Sequence, residues 1–260
     1  MKISISQYLG GTILLAMLGF AFLQPYFYPM DIGFQDLTNI LSNPNEIAWF
    51  GTDHLGRDML ARLASAIRLS FGLSLFSVIC ALIAGLITGI MAGFFGGWID
   101  RIFSFICDLV MALPGLLLVL LLAALSPGSF WTLYLGISLV MWVEFFRVIR
   151  SISSTMANSS EIQASRLMGM GWFYSFKRHL LPRLLPMIAT LSAFSLGNSI
   201  LALATLGFVS VGLRPPTAEL GLMMTELFPY YYQAPIIFLQ PVVAVFLMVL
   251  SLQLLSGRVK

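Results

Sequence analysis

Six apolar stretches divide this 260-residue chain, at approximately 5–24, 71–95, 102–125, 130–149, 184–212 and 236–256. Each runs to about 20 residues or more, the length an α-helix needs to cross roughly 30 Å of hydrocarbon. Inside a bilayer every backbone N–H and C=O must find its partner within the protein, and an apolar run of this length meets that demand as a helix. Two joints, "GGWID" at 96–100 and "SPGS" at 126–129, separate neighbouring runs with glycine and proline. The expected fold is an all-α integral membrane protein with six transmembrane helices. Composition excludes a soluble domain. The chain is 59% hydrophobic and 10% charged, with a mean hydropathy of +0.94, where a soluble domain carries about 25% charged residues.

The N-terminal run follows Lys2 and ends in "FLQPYFYPM", without a small-x-small cleavage site, so it reads as a retained anchor. Basic residues set the orientation. With the N-terminus inside, Lys2, Arg101, Arg147, Arg150, Arg166, Lys177, Arg178, Arg183, Arg258 and Lys260 lie on the inner side, 10 in all, against 4 outside, Arg57, Arg62, Arg68 and Arg214. This bias places both termini in the cytoplasm. It leaves a long outer loop at about 25–70 and a long inner one at about 150–183.

The chemistry of hydrolysis is missing. No Gly-x-x-x-x-Gly-Lys-Ser/Thr phosphate loop occurs, and "GFFGGW" at 93–98 has no lysine. Cys80 and Cys107 sit in apolar runs as packing residues, and His54 and His179 stand apart from them and from each other, so no metal-ligand cluster is expected. Any work done across the membrane would then come from a conformational switch. "GLITGIMAGFFGG" places Gly85, Gly89, Gly93 and Gly97 four residues apart, a smooth stripe for close helix approach, mobile or static. Polar groups within apolar runs invite a function. Asp108 and Glu144 lie toward the cytoplasmic ends of helices three and four, Asp108 either facing a solute or paired with Arg101. On helix five, Ser192, Ser195 and Ser199 share a face, with Asn198 beside them, as a candidate translocation wall or as packing.

The inner loop holds "EIQASRLMGMGWFYSFKRHLLPRLLP", residues 161–186. Ser159 and Ser160 precede Glu161 as N-cap candidates, a short helix runs to Met168, and Gly169 ends it. A second short helix, "WFYSFKRH", follows Gly171, and Pro182 opens the next membrane helix. Ala164 and Ser165 are small enough for close approach by a partner. Trp172, Phe173, Tyr174 and Phe176 suit either the membrane interface or a partner surface.

This loop resembles the cytoplasmic coupling loop of ATP-binding-cassette importer permeases, whose Glu-Ala-Ala, Gly and Leu-Pro are matched by Gln163-Ala164-Ser165, Gly169 and Leu181-Pro182. It departs at Gln163, where the family has Glu, with Glu161 two residues earlier. "GTDHLGRDMLARLASAIRLSFG", Gly51 to Gly72, resembles the outer signature of the second permease of dipeptide, oligopeptide and nickel importers. "SVGLRPPTAELGLMM", Ser210 to Met224, is similar to the segment before that family's last helix, and the family's Asp-Pro-Arg-like tail is replaced by "SGRVK".

The resemblance implies a type I importer permease: an anchor helix and outer loop (1–70), a five-helix core (71–256) and a short cytoplasmic tail (257–260). It implies ATPase coupling through Glu161, Gln163, Ala164, Ser165, Gly169, Trp172 and Pro182. The outer motif, Gly51, Asp53, Gly56, Arg57 and Asp58, would order its loop by local pairing, meet a binding protein or form an outer gate. The implied partners are a second permease, two cytoplasmic ATPases, an extracytoplasmic solute-binding protein and membrane lipid, with no nucleic acid. This subunit would bind no cofactor, ATP and Mg being used by the ATPases. The place is a bacterial inner membrane. "GTDHLGRD" and "PTAELG" lean toward nickel or metal chelates, with di- or oligopeptides the alternative. A self-contained secondary transporter or channel, or an assembly scaffold, is the reading from another class.

Overall fold

The structure, a computed structural model, describes residues 4–126 and 129–257. Lys2, the Pro127–Gly128 centre of the second joint and the 258–260 tail lie outside the described residues.

The first apolar run forms α1 (Ile5–Phe27), opened by a capping box in which the Gln7 N–H donates to Ser4 Oγ and the Ser4 N–H to Gln7 Oε1. Gln7 Nε2 also donates to the Gly257 carbonyl at 2.9 Å, which ties the start of the first helix to the end of the last. Pro25 lies inside α1 and has no N–H for the Ala21 carbonyl one turn back. Arg68 of the next helix donates to that carbonyl instead.

That next helix, α2, is 37 residues long (Met59–Phe95), about 55 Å at the usual rise. It starts 12 residues before the expected 71, so 59–70 is helix rather than outer loop. Asp58 caps it, its carboxylate accepting the Ala61 N–H at 2.8 Å. Arg62 and Arg68 made this turn read as loop, yet both are held by partners elsewhere in the fold.

The third expected span is not one straight helix. It is α3 (Gly97–Met111) and α4 (Gly115–Leu125), bent by 82°. Pro114 removes a backbone donor and clashes with the preceding turn, which stops α3. Neither piece, about 22 and 17 Å long, crosses a bilayer core alone. Among the described residues five helices are long and apolar enough to span, or six if the bent pair is one broken span.

α5 (Phe130–Ala157) lies along α2 in the most extensive helix pair of the protein. The glycine stripe makes that contact. A Cβ on Gly85 would stand 2.5 Å from Phe145 Cβ, one on Gly89 3.0 Å from Ile149 Cβ, and one on Gly93 2.5 Å from the Arg150 carbonyl. Gly97 lies beyond the helix end and faces open space.

A short α6 (Ser160–Leu167) is followed by α7 (Trp172–Ser175), a π turn (Phe176–Leu180) and α8 (Leu181–Phe208). The second loop helix and the membrane helix were expected to be separate, but 172–208 is one continuous run. The π turn absorbs the donor that Pro182 lacks, the Leu181 N–H reaching back five residues to Phe176. After α9 (Leu220–Leu227), capped by Glu219, α10 (Pro235–Leu255) closes the bundle against α1 and α8. The core sits where α2, α5 and α8 meet, around Phe145, Phe146, Ile149, Ile200 and Leu203. Apolar residues such as Ile83, Ile87, Leu121, Leu239 and Phe246 face outward, as lipid-facing helices require.

Candidate functional site

The 150–183 segment turns where α5 stops at Asn158 and the chain enters α6. Ser159 occupies the cap position with extended backbone, but its Oγ makes no capping bond, so the expected side-chain cap is absent. The other end is as the sequence predicts. Gly169 has φ +74°, its N–H donates to the Arg166 carbonyl, and the Met170 N–H donates to Ser165, both at 3.0 Å. This is a Schellman stop, and it favours glycine because a β-carbon resists that backbone conformation.

α6 buries Ile162 and Ser165 and exposes Glu161, Gln163, Ala164 and Arg166. Ser165 was expected at a partner surface. It faces inward instead, its Oγ donating to the Glu161 carbonyl at 3.0 Å and lying 3.1 Å from His179 Nε2. Glu161 pairs with Arg183 at 2.7 Å and stands 3.8 Å from His179 Nδ1, bracing α6 on the base of α8. Sequence reasoning gave His179 and Arg183 no role, because their partners lie 14 to 22 residues away.

The aromatic group divides. Trp172 stacks on Phe176 (5.6 Å, 11°) and meets Phe94 and Phe95 at the end of α2, with Arg166 over Phe94. Phe173 and Tyr174 point outward with Leu167, which is 90% exposed, Met168 and Met170. With Gln163, Ala164 and Pro182 they form the exposed, largely apolar residues of the segment that joins α5 to α8. An apolar patch of this kind, rimmed by Lys177 and Arg178, has the character of a protein-docking surface.

In the 51–58 motif, Gly51 and Gly56 have φ +79° and +72°, and a Cβ on Gly56 would stand 1.9 Å from the Asp36 carbonyl. Asp53 folds the motif, accepting the Leu55 and Arg57 N–H groups and pairing with Arg57 Nε at 2.6 Å. Arg57 and Arg62 converge on Glu226 of α9 at 3.0 and 2.6 Å, with both arginines buried. Asp58 stands outside this cluster. It caps α2 and accepts the Tyr28 hydroxyl at 2.8 Å. Burial and that carboxylate push the Tyr28 phenol up to about 12. His54 stacks on Tyr230, and burial holds its imidazole below the usual range.

No metal-ligand cluster was expected, yet the fold brings Asp53, His54 and Glu226 to within 4.8 Å of one another. Both carboxylates already face Arg57 and Arg62, so a divalent cation would be repelled by two guanidinium groups. The grouping is an ion-pair cluster.

The proposed wall on α8 turns inward. Ser195 and Ser199 are fully buried, Ser192 and Ser199 have no hydrogen-bond partner among the described residues, and Asn198 is half-buried. Ser195 donates to Glu144 Oε2 at 3.3 Å. Asp108 is exposed and pairs with Arg147 at 3.3 Å, not with Arg101, which lies over Trp98.

Residues 85–259 match the family model described as "Binding-protein-dependent transport system inner membrane component". The chain is 30% identical over 251 residues to the glutathione transport system permease protein GsiD of Pectobacterium atrosepticum, covering 96% of this chain and 83% of that protein. It is 33% identical over 225 residues to the GsiD of Shigella flexneri serotype 5b, covering 86% and 74%. The fold is similar to a chain of the MetNI methionine ABC transporter in inward-facing conformations, with a TM-score of 0.60 and 18% identity over 77% of this chain and 95% of that one. These features define the permease subunit of an ATP-binding-cassette importer, a multi-pass inner-membrane protein of type I fold that is not itself catalytic. The chain belongs to the binding-protein-dependent transport family of inner membrane components, in its dipeptide, oligopeptide and nickel branch.

Proposed function

We propose that this chain forms one half of the translocation pathway of an importer for short peptides of the glutathione class. A second permease supplies the other half. Of the two cytoplasmic ATPases one docks on the projection around α6 and Gly169, and an extracytoplasmic binding protein delivers the solute to the outer side. ATP and Mg are bound by the ATPases, and this subunit carries no cofactor of its own. Both termini and the α6–α7 segment face the cytoplasm, and 28–58 faces outward.

The observation that carries the reading is the exposed apolar projection, Leu167, Met168, Met170, Phe173 and Tyr174, held rigid by the Gly169 stop and the Glu161–Arg183 pair. A rigid lever at the shared end of α5 and α8 passes ATPase closure to the helices that build the core. The solute class follows the relatives, which are named for glutathione transport. The nickel or chelate alternative becomes an outcome of the solute test.

The experiment is reconstitution in vesicles of this chain alone and then with its partner permease, ATPases and loaded binding protein. Glutathione uptake is expected only with the full set and ATP. Uptake of a nickel chelate instead of glutathione would overturn the solute class. Gradient-driven, ATP-independent uptake by the lone chain would overturn the importer reading in favour of a secondary transporter.

A further inference from the structure

Glu144 lies near the middle of α5, within a membrane-spanning helix. An acid inside an apolar span is costly unless it has a partner or a task. Its Oε2 accepts one bond, from Ser195 Oγ at 3.3 Å, and its Oε1 accepts none among the described residues. The arginines one and two turns further along α5 are already committed. Arg147 pairs with Asp108, and Arg150 holds Asp100 through two bonds. Among the described residues no ion pair reaches Glu144.

The side chain is half-buried and opens on a cleft of about 280 Å³. The cleft lies where the α3–α4 span bends at Pro114 beside α5, and broken helices within membrane proteins persist where they line a cavity. Its walls are apolar, among them Val110, Leu113, Pro114, Val140 and Val143, and Glu144 is its one ionisable lining group.

We propose that this cleft receives the protonated amino group of the transported solute, with Glu144 as its counter-ion. This rests on the importer reading and adds the chemical class that the permease itself recognises, a solute with a free primary ammonium. The chemistry is selective in three ways. A lone carboxylate in an apolar cleft attracts an ammonium and repels a carboxylate or phosphate that brings no ammonium with it. A single acid with no second ligand gives a metal ion too few donors. The volume falls just short of the roughly 300–1,000 Å³ of whole small-molecule sites, so it holds one end of a short peptide while the remainder extends into the pathway. A site built around an unpaired polar group discriminates strongly against an analogue that lacks the matching partner.

The test uses the complete importer in vesicles, with Cys80 and Cys107 replaced by serine and a single cysteine placed by Leu113→Cys on the cleft wall. Thiol labelling is followed while trialanine or N-acetyl-trialanine is added directly, without the binding protein. Trialanine is expected to protect the thiol at concentrations about tenfold or more below those of its acetylated form, the scale of one charge-assisted hydrogen bond. Glu144→Gln should abolish that difference, and Glu144→Asp should keep it. Equal protection by both peptides, protection by neither, or a difference that survives Glu144→Gln overturns the proposal. The acetyl comparison needs no acidic-site variant, so misfolding cannot mimic the result. ATP-dependent glutathione uptake by the unsubstituted importer is measured in parallel. Uptake without amine-dependent protection sinks this inference alone, and absent uptake sinks the importer reading.

Discussion

Replacing Gly85 with alanine tests whether α2 and α5 are held by backbone approach. The new Cβ would lie 2.5 Å from Phe145 Cβ and 3.1 Å from the Phe146 nitrogen. Carbon atoms rest at about 3.5–4.0 Å, so the helices must separate by roughly 1 Å at that point. A gap of that size forfeits about a quarter to a half of each affected dispersion contact. Between membrane helices there is no hydrophobic gain to offset the loss, because lipid tails are as apolar as the interface. The expected cost is about 1–3 kcal/mol, in the range of overpacked cores. Gly93→Ala should cost as much, since its Cβ would meet the Arg150 carbonyl at 2.5 Å and Ser153 Cβ at 2.7 Å. Gly89→Ala should cost less, with its nearest contact at 3.0 Å. The double variant of Gly85 and Gly93 should cost less than the sum, because one separation relieves both clashes. Gly72→Ala is the control, in the same helix with nothing within 4 Å. Thermal unfolding of the purified importer in detergent reads the order. If Gly85→Ala unfolds at the temperature of Gly72→Ala, the close-approach argument is wrong.

Three further outcomes follow from the same geometry. Gly169→Arg should abolish uptake and ATPase co-purification while leaving membrane insertion intact; the position faces open space, so the effect comes from forcing a side chain into φ +74° and altering the docking face, about 1–2 kcal/mol of backbone strain. A cysteine at exposed Lys177, in a background without Cys80 and Cys107, should react with an impermeant reagent only from the cytoplasmic side, and outside labelling would reverse the topology; Ser175 is unsuitable because it is buried. Arg68→Ala should cost about 1–3 kcal/mol by orphaning the Ala21 carbonyl. In a Pro25→Ala background the restored helix donor should remove most of that cost, and equal costs in the two backgrounds would show that Arg68 does not serve that carbonyl.

What the linear chain determined is what physics decides over short distances. Apolar runs specify membrane helices because a bilayer leaves the backbone no other way to pair its polar groups. The end of α6 at Gly169 was legible because a Schellman stop is built within six residues. The glycine stripe was legible as a smooth face, although only the fold showed that α5 covers it and that Gly97 falls outside it. The remainder was decided by partners far apart in sequence. Arg62 made the start of α2 read as loop, since a lone charge argues against burial. Its partner Glu226 lies 164 residues away and makes that burial tolerable. Ser165 looked like a small docking residue until His179 and the Glu161 carbonyl drew it inward. The third span, 102–125, read as one helix, and only the structure showed it bent by 82° at Pro114. Glu144 was legible as an acid in an apolar run, but only the fold showed that both nearby arginines are assigned to other acids. Hydropathy and caps act over a turn or two of chain, whereas the pairing of a buried charge depends on which distant segment the tertiary structure sets beside it.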